Sequence, residues 1–303
     1  TDILKKFIND NLNDIDELNI NVIKRDIVSE KWFYEDIVKS QRFGIEYSKT
    51  IIDEKSKYQD IKLIESKTYG KVLILDGVIQ ITERDYFTYN EMLSHTPLFG
   101  HENPKNVFII GGGDGCVLNE VVKHNYLKNI DICDIDEKVI EISKTHFSWN
   151  DGWKDDRVNV FTEDAAKFIL NTKKRYSVII MDSSDPFDGL PASSLYTNDF
   201  FSNIYDILDE DGIFCFQSEC MFFFKDKINK WRQLLLSKFP HVYYGNINVP
   251  TYAGGQIGMM VCSKKYDPRN INNKIKLNIE NLKYYNKKIH KSSFVLPNYF
   301  KFI

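Results

Sequence analysis

The stretch "NVFIIGGGDGCVLNEVVKHN" (residues 106–125) places an apolar run, a glycine-rich turn and an amphipathic segment in direct succession. Apolar runs and amphipathic segments continue to alternate as far as "INKWRQLLLSKF" (228–239). Strands that alternate with helices predict a doubly wound, mostly parallel sheet, whose ligands bind beyond the carboxyl ends of the strands. Two final apolar runs, "VYYGNINVP" (242–250) and "IGMMVCSK" (257–264), predict an antiparallel pair that completes the sheet. The sequence thus predicts an α/β fold with its site at the strand ends.

The residues before this unit divide into two parts. Residues 1–40 alternate Asn, Asp and Lys with scattered Ile and Leu, which predicts loosely attached helices. From residue 42 to 83 the chain is rich in Ile, Val and Thr, which predicts strands, and "TYNEMLSHTPLF" (88–99) predicts a helix. We therefore expect an N-terminal extension (1–40), a small antiparallel β domain (41–98) and the α/β domain (99–303).

The composition excludes several classes of function. The 303 residues carry 40 Lys and Arg against 43 Asp and Glu, so the chain lacks the basic excess that binds nucleic acid. No stretch approaches eighteen apolar residues, so we expect no membrane span, and the polar, acidic start is unlike a targeting leader. The five cysteines contain no C-x-x-C pair and lie mostly in apolar runs, which is typical of reduced thiols and predicts a cytoplasmic protein.

The glycine-rich turn, Gly111 to Gly115, follows the first strand of the α/β unit. Glycines allow a tight turn and a close approach of the backbone to a ligand, and the next helix offers unpaired amide groups. A nucleotide site is the natural interpretation, and a purely structural turn is the alternative. Asp114 departs from the G-x-G-x-x-G pattern, because an acid repels a pyrophosphate and attracts a cationic ligand. The turn therefore argues against NAD.

Further acids follow the next two strands. Asp134 lies 23 residues after Gly111, near the spacing at which an acid binds ribose hydroxyls. Asp136 precedes a predicted helix, and we expect it to cap that helix. Asp164 is predicted either to contact an adenine amino group or to cap the helix that follows it.

The fourth strand ends in "VIIMDSSDPFDGLP" (178–191), where an apolar run is followed by Asp182, Asp185 and Asp188. Grouped carboxylates repel one another, so their cost is usually offset by a cation. One of the three acids could be a cap or turn residue, and Mg²⁺ or Ca²⁺ is a candidate cation, although no further ligand pattern supports a metal. With the glycines and the ribose and adenine acids, the cluster favours a positively charged nucleoside without phosphate, namely a sulfonium nucleoside.

At this point the chain resembles the spermidine synthase family of aminopropyltransferases. The resemblance runs in order from about residue 41 to 300 and rests on "SKYQD" (56–60), "SKTYGKVLILDGVIQITERD" (66–85), "GGGDG" (111–115), "DSSDP" (182–186), "PTYAGGQIG" (250–258) and "LKYYN…H…FVLP" (282–297). It implies a Rossmann-like, class I methyltransferase-like catalytic domain behind the small N-terminal β domain. It also implies a homodimer or homotetramer.

The resemblance implies transfer of an aminopropyl group from decarboxylated S-adenosylmethionine to putrescine, giving spermidine and methylthioadenosine without a metal or other cofactor. It implies that the donor, whose ammonium group would lie at Asp114, contacts Gln59, Gln80, Gly111, Gly113, Asp114, Asp134, Asp164, Ala165 and Pro191. It implies that the acceptor contacts Asn90, Asp185, Gln217 and Glu219, and that Asp182, Tyr89 and Tyr252 are catalytic. Glu219 could instead pair with a nearby cation, Tyr89 could pack in a helix, and Tyr252 could anchor a loop.

The implied chemistry accounts for the acids. An alkyl amine is mostly protonated near neutral pH and then has no lone pair with which to attack, so a group must take its proton. Asp182, aided by the two tyrosine hydroxyls, would accept or relay that proton. Because donor and acceptor are both cations, Asp114, Asp182 and Asp185 would also screen their repulsion.

Several positions depart from the family pattern. The N-terminal W-P-G-Q segment is absent, and the loop after Pro186 has two extra residues and an added acid. Four single positions differ: Tyr86 stands for the usual Glu, Asn90 for His or Gln, Asp134 for Glu, and Phe222 for Trp. These changes gather around the acceptor's outer end, so spermidine or another diamine stays open as the acceptor.

Two rival interpretations belong to other classes. A methyltransferase on the same scaffold would use S-adenosylmethionine itself, but the methionine carboxylate of that donor would face Asp114 unfavourably. A non-enzymatic paralogue would serve as a partner subunit or bind polyamines, and the intact Asp182, Tyr89, Asp185 and Tyr252 argue against it.

Overall fold

The computed structural model describes residues 31–36, 39–186, 191–274 and 279–300. The helices predicted for residues 1–30, and Asp188 of the acidic loop, therefore lie outside the described residues. The domain boundaries at residues 41 and 98 stay predictions.

The N-terminal part of the described chain is antiparallel β structure, as the sequence predicted. One hairpin-like pair consists of β1 (Lys31–Glu35) and β2 (Phe43–Tyr47). A four-stranded sheet follows in chain order, with β3 (Lys49–Lys55), β4 (Asp60–Ser66), β5 (Gly70–Leu75) and β6 (Val78–Thr82). The expectation of helix up to residue 40 is wrong for Lys31–Glu35, because the aromatic run in "KWFYE" favours extended backbone.

The main sheet has seven strands in the order β12-β13-β11-β10-β7-β8-β9. Its strands are β7 (Asn106–Gly111), β8 (Asn129–Cys133), β9 (Val158–Phe161), β10 (Tyr176–Asp182), β11 (Leu208–Gln217), β12 (His241–Asn248) and β13 (Gln256–Ser263). Strands β7 to β11 are parallel, and β13 pairs antiparallel with β11 and β12. The mostly parallel sheet and its antiparallel end are thus confirmed.

Seven α-helices are described. They are α1 (Tyr86–Gly100), α2 (Cys116–Val121), α3 (Glu137–His146), α4 (Ala165–Asn171), α5 (Asn198–Ile207), α6 (Lys225–Leu236) and α7 (Lys287–Ser292). The helix after the glycine turn is shorter than the pattern suggested, since the amides of Lys123 and His124 bond to carbonyls only three residues back. Helix α1 is buried over most of its length and packs against α2 and the main sheet.

The centre of the sheet explains the continuous apolar runs. Residues 107–110 of β7 and 178–181 of β10 are fully buried, as expected for parallel strands covered on both faces. The strand order reverses between these two strands, and Gly111 pairs with Asp182 at their carboxyl ends. A crevice for ligands is expected at this reversal point.

Two expectations from composition concern the chain as a whole. All five cysteines are buried free thiols. No helix in the described part of the chain is both long enough and apolar enough to span a bilayer.

Candidate active site

A cavity of about 310 Å³ lies at the carboxyl ends of β7, β10 and β11, where strands of the small sheets cover it. Its volume suits a small-molecule site. The predicted site residues that line it are Gln59, Gln80, Tyr89, Asn90, Gly111, Gly113, Asp114, Asp134, Asp164, Ala165, Asp182, Asp185, Gln217, Glu219 and Tyr252. Pro191 begins a 3₁₀ helix that ends at Tyr196. The structure thus gathers the predicted residues, while their individual roles stay predictions.

The glycine turn fits closely against β10. Gly111 has a φ of 74°, and a Cβ atom there would collide with the carbonyl oxygen of Asp182. The Gly112 amide donates to that same carbonyl at 2.8 Å. The Gly113 amide donates to Asp134 Oδ2 at 2.8 Å, where a Cβ would also be crowded. The glycines therefore bring the backbones of two strand ends into direct contact at the cavity floor.

Asp134 and Asp136 have different hydrogen-bond partners, and the predicted helix cap at Asp136 is confirmed. Asp136 caps α3 by accepting from the Lys138 amide, and it also accepts from Gln59 Nε2 at 2.8 Å. Asp134 accepts from the amides of Gly113 and Asp136, and burial raises its pKa to about 6. Asp134 thus faces the cavity as a fixed acid, and its contact with ribose stays a prediction.

Asp164 caps α4, since its side chain accepts from the Ala166 amide at 2.9 Å. The capping alternative is therefore confirmed. Ala165 is buried and lines the cavity beside it. A contact of Asp164 with adenine stays a prediction.

Asp114 is held from two sides. Its Oδ1 atom accepts from the Cys116 amide at 2.7 Å, and its carbonyl accepts from Trp149 Nε1 at 2.9 Å. Trp149 is buried between the rings of Phe147 and Tyr86, at centroid distances of 4.5 and 4.4 Å. Burial raises the pKa of Asp114. The aromatic stack therefore fixes the turn that presents this carboxyl group to the cavity.

Asp182 lies at the centre of the site. Tyr89 of α1 donates its hydroxyl proton to Asp182 Oδ1 at 2.8 Å. The Oδ2 atom is buried and has no hydrogen-bond partner among the described residues. Burial, followed by repulsion from Asp114, raises the pKa of Asp182 well above its ordinary value. A buried acceptor without a donor is rare in native proteins and points to a missing ligand.

Tyr252 and Asn90 complete the wall around Asp182. The Tyr252 hydroxyl donates its proton to the carbonyl of Gln80 at 2.6 Å and not to Asp182, so the lone pairs of its oxygen can accept from a ligand. The Tyr252 ring lies 6.1 Å from that of Tyr89. Asn90 donates to the Tyr86 carbonyl at 2.7 Å, and its buried Oδ1 has no partner in the described part of the chain. Both side chains thus present oxygen acceptors suited to an ammonium group.

The far end of the cavity is formed by residues that follow β10 and β11. Gln217 Nε2 donates to Asp185 Oδ1 at 2.7 Å, and Gln217 Oε1 accepts from the Glu219 amide at 3.1 Å. Burial, with repulsion from Glu219 and Glu35, raises the pKa of Asp185 to about 7. Glu219 forms an ion pair with Lys227 at 3.0 Å, so the alternative of a nearby cation is confirmed for this residue.

Sequence reasoning missed Glu35, which lines the same end. Its side chain is buried at the end of β1, accepts from the Ile79 amide at 2.7 Å, and has its pKa raised to about 7 by burial. The assignment of residues 1–40 to helices hid it. The aromatic run in "KWFYE" was the signal of a strand, and it is this strand that places Glu35 at the cavity.

These acids share one property that decides what the arrangement can do. Burial raises the pKa of Asp114, Asp134, Asp182, Asp185 and Glu35 alike. Among the described residues no cluster of His, Cys, Asp or Glu is arranged to hold a metal ion, and the expectation of a metal-free reaction stays a prediction. An organic cation that entered the cavity would stabilise the ionised carboxylates and be stabilised by them.

Two family models match the chain. The Spermine/spermidine synthase domain matches residues 86–275, and the Spermidine synthase tetramerisation domain matches residues 31–83. Together they cover the main sheet with its helices and the small β sheets.

Characterised relatives match over nearly the whole chain. The spermidine synthase of Schizosaccharomyces pombe is 40% identical over 296 residues, which cover 93% of this chain and 96% of that protein. The polyamine aminopropyltransferase of Bacillus subtilis is 38% identical over 273 residues, covering 90% and 98%. A crystal structure of a spermidine synthase in complex with the transition-state analogue AdoDATO superposes with a TM-score of 0.82 at 31% identity, covering 92% of this chain and 97% of that one.

Proposed function

The chain belongs to the spermidine synthase family of polyamine aminopropyltransferases, and from that premise we propose that it transfers the aminopropyl group of decarboxylated S-adenosylmethionine to putrescine. The products are spermidine and methylthioadenosine. One observation carries the proposal: at the centre of an acid-lined cavity, Asp182 presents a buried carboxylate oxygen that has no donor in the part of the chain that the structure describes.

The donor lies along the glycine turn in this proposal. Asp134 accepts from its ribose, Asp164 and Ala165 hold its adenine with the loop near Pro191, and Gln59 and Gln80 line the nucleoside. The ammonium of the aminopropyl chain binds Asp114, whereas Asn90 Oδ1 accepts from the acceptor amine beside it. Support comes from the positions of these residues around one cavity and from the unpartnered Asn90 oxygen.

The acceptor lies between Asp182 and the far end. Its attacking nitrogen contacts Asp182 and the lone pairs of Tyr252, and its far ammonium contacts Asp185 with Glu35. Glu35 enters as a substrate-binding residue because it is buried, lines the cavity and repels Asp185. Two carboxyl groups with pKa values of about 7 gain most when an ammonium arrives, since its charge offsets their repulsion.

The chemical step is a displacement at the carbon bound to sulfur. The amine loses a proton to Asp182, its lone pair forms the new C–N bond, and the C–S electron pair stays on sulfur, which leaves as a neutral thioether. The raised pKa of Asp182 suits this role, because it makes the carboxylate a stronger proton acceptor than an ordinary aspartate. Tyr89 keeps the carboxyl oriented through Oδ1, so Oδ2 faces the amine.

The working form in this proposal is a cytoplasmic homodimer or homotetramer without metal. The match to a tetramerisation domain over residues 31–83 supports self-association. Trp32 and Tyr34 support it further, since they stack at 6.2 Å and are about half exposed on β1. The five buried free thiols are compatible with a reducing compartment.

The deciding experiment is a product assay with decarboxylated S-adenosylmethionine and a panel of putrescine, cadaverine, 1,3-diaminopropane and spermidine. We expect methylthioadenosine and spermidine to form in equal amounts, with the highest kcat/KM for putrescine. A higher kcat/KM for spermidine than for putrescine would show that aminopropyl transfer is correct and that putrescine is the wrong acceptor. No transfer to any amine would overturn the proposal.

Thermal shift separates this reaction from methyl transfer. The donor without a carboxylate should raise Tm more than S-adenosylmethionine, because Asp114 repels the methionine carboxylate. A larger shift with S-adenosylmethionine would contradict the assignment of the donor.

A further inference from the structure

Lys227 of α6 lies directly behind the far end of the acceptor cavity. Its Nζ atom donates to Glu219 Oε1 at 3.0 Å and to the carbonyl oxygen of Pro186 at 3.1 Å. It also lies 5.5 Å from the ring centre of Phe224 and 5.3 Å from that of Trp231. The lysine is therefore held between the loop after β10, the residues after β11 and its own helix.

This ion pair differs from a surface salt bridge. The Glu219 side chain is only 5% exposed, and that of Lys227 is 30% exposed. Glu219 has a φ of 59°, an unfavourable backbone conformation for a residue with a side chain. Its carbonyl oxygen accepts from the Tyr244 hydroxyl and the Gly258 amide, which stabilises this conformation. The carboxylate is thus fixed at the cavity wall while its charge is balanced from behind.

The ion pair between Lys227 and Glu219 reduces the net negative charge at the far end of the cavity. Glu35, Asp185 and Glu219 all line the cavity, but Lys227 does not. Because the Glu219 carboxylate is paired with Lys227, the acids at this end without an ion-pair partner among the described residues are Asp185 and Glu35. Their mutual repulsion means that one ammonium between them is stabilising, whereas a further positive charge meets the field of Lys227.

We propose that Lys227, acting through Glu219, is the specificity-determining residue that limits the acceptor to a diamine and excludes triamines. The inference rests on the proposed aminopropyl transfer and adds the class of acceptor. A diamine places one ammonium at Asp185 and Glu35 after its other nitrogen reaches Asp182. A triamine must place a third charge near Glu219, where the lysine already occupies the carboxylate.

The test compares the acceptor preference of Lys227→Met with that of the wild-type enzyme. Methionine keeps the length and apolar stem of lysine without its charge. We expect the ratio of kcat/KM for spermidine to kcat/KM for putrescine to rise by about tenfold or more, since one close charge repulsion is removed and Glu219 becomes available. An unchanged ratio in a folded Lys227→Met protein overturns the inference.

Three matched variants separate charge from packing. Lys227→Arg keeps the positive charge and should keep the wild-type ratio. Lys230→Met removes a charge from an exposed position on the same helix and should change nothing. The double variant Lys227→Met with Glu219→Gln should return the ratio towards wild type, because no free carboxylate remains for the third ammonium. A tenfold rise in Lys230→Met, or in the double variant, would contradict the assignment.

The pH dependence of kcat/KM distinguishes an electrostatic role of Lys227 from a purely structural one, because loss of packing alone would not shift the pKa of Asp185. Asp185 faces Glu219 and Glu35, which raise its pKa, and Lys227 and Gln217, which lower it. Loss of the Lys227 charge should therefore shift the acid limb of kcat/KM for putrescine to higher pH, and Lys227→Arg should not shift it. Failure of the two proposals is distinguishable: wild-type protein that transfers to no amine refutes the function, whereas transfer with an unchanged ratio refutes only the role of Lys227.

Discussion

Two aspartates of the main sheet have opposite surroundings: Asp131 is buried in β8, and Asp182 is partly buried at the end of β10. Asp131 accepts from Asn129, Asn159, Lys174 and Tyr176 at 2.7 to 2.9 Å. Burial alone would raise its pKa, but these hydrogen bonds outweigh it and the pKa is lowered. Asp182 accepts one side-chain hydrogen bond and has its pKa raised.

The difference separates a structural charge from a functional one. The protein supplies every partner that Asp131 needs, so this carboxylate contributes to the fold as it stands. Asp182 has an oxygen without a hydrogen-bond partner among the described residues, and the neighbouring Asp114 makes its charge still less favourable. A binding site for cations is therefore expected to cost stability in the empty protein and to regain it when ligand binds.

The largest expected effect is on turnover. The test makes the same substitution, Asp to Asn, at Asp182 and at Asp131. Asp182→Asn should lower kcat by about a thousandfold, because the base is lost while the Tyr89 hydrogen bond can remain. It should also raise Tm by about 2 to 4 °C, the effect of about 1 kcal/mol in a chain of this size. Steady-state assays and thermal melts at pH 8 measure both.

Asp131→Asn is the control for that prediction. It should leave kcat within about twofold and lower stability by about 1–3 kcal/mol, because hydrogen bonds to a charged group are lost. If both variants lost turnover equally, or if Asp182→Asn were the less stable of the two, the distinction between the two aspartates would be wrong.

The pH dependence should show the same contrast, with effects of about tenfold. Since Asp185 has a pKa of about 7, its ionised fraction falls about tenfold from pH 8 to pH 6, and kcat/KM for the acceptor should fall with it. Stability should move the other way. The folded protein binds more protons than the unfolded chain between the ordinary pKa of 3.8 and about 7, so stability decreases as pH rises through that window.

Asp185→Asn should make both curves less steep and raise KM for the acceptor, and the remaining slope is expected from Glu35, whose pKa is also about 7. Melting curves and initial rates between pH 5.5 and 8.5 provide the measurement. Two results would contradict a desolvated Asp185: a stability of the wild-type protein that rises from pH 5.5 to 8.5, or a decrease that is equally steep in Asp185→Asn.

The smallest effect concerns the support of Asp114. Trp149→Phe removes the indole donor to the Asp114 carbonyl and keeps an aromatic ring in the stack. We expect KM for the donor to rise about fivefold, the equivalent of one hydrogen bond of about 1 kcal/mol, with little change in kcat. Trp153→Phe is the matched control, because its buried indole nitrogen has no partner among the described residues. Equal KM values for the two variants would remove Trp149 from this role.

Local patterns in the sequence predicted much of the architecture and the rim of the site. Buried strands such as 178–181 are continuous apolar runs because both faces are covered, and the acids that follow them mark the strand ends. The helix caps at Asp136 and Asp164 could also be predicted from the local sequence, because the capping side chain bonds to an amide only two residues further along the chain.

The sequence by itself determined which residue types stand at the ends of the strands, and through them the fold and the family. Only the tertiary structure decided which of the buried acids are satisfied. The partners of Asp131 include Lys174 and Tyr176, which lie 43 and 45 residues away, and Tyr89 reaches Asp182 from 93 residues away. Hydrogen bonds and charges act through space over a few ångströms, so their balance depends on packing between distant segments that no local pattern encodes.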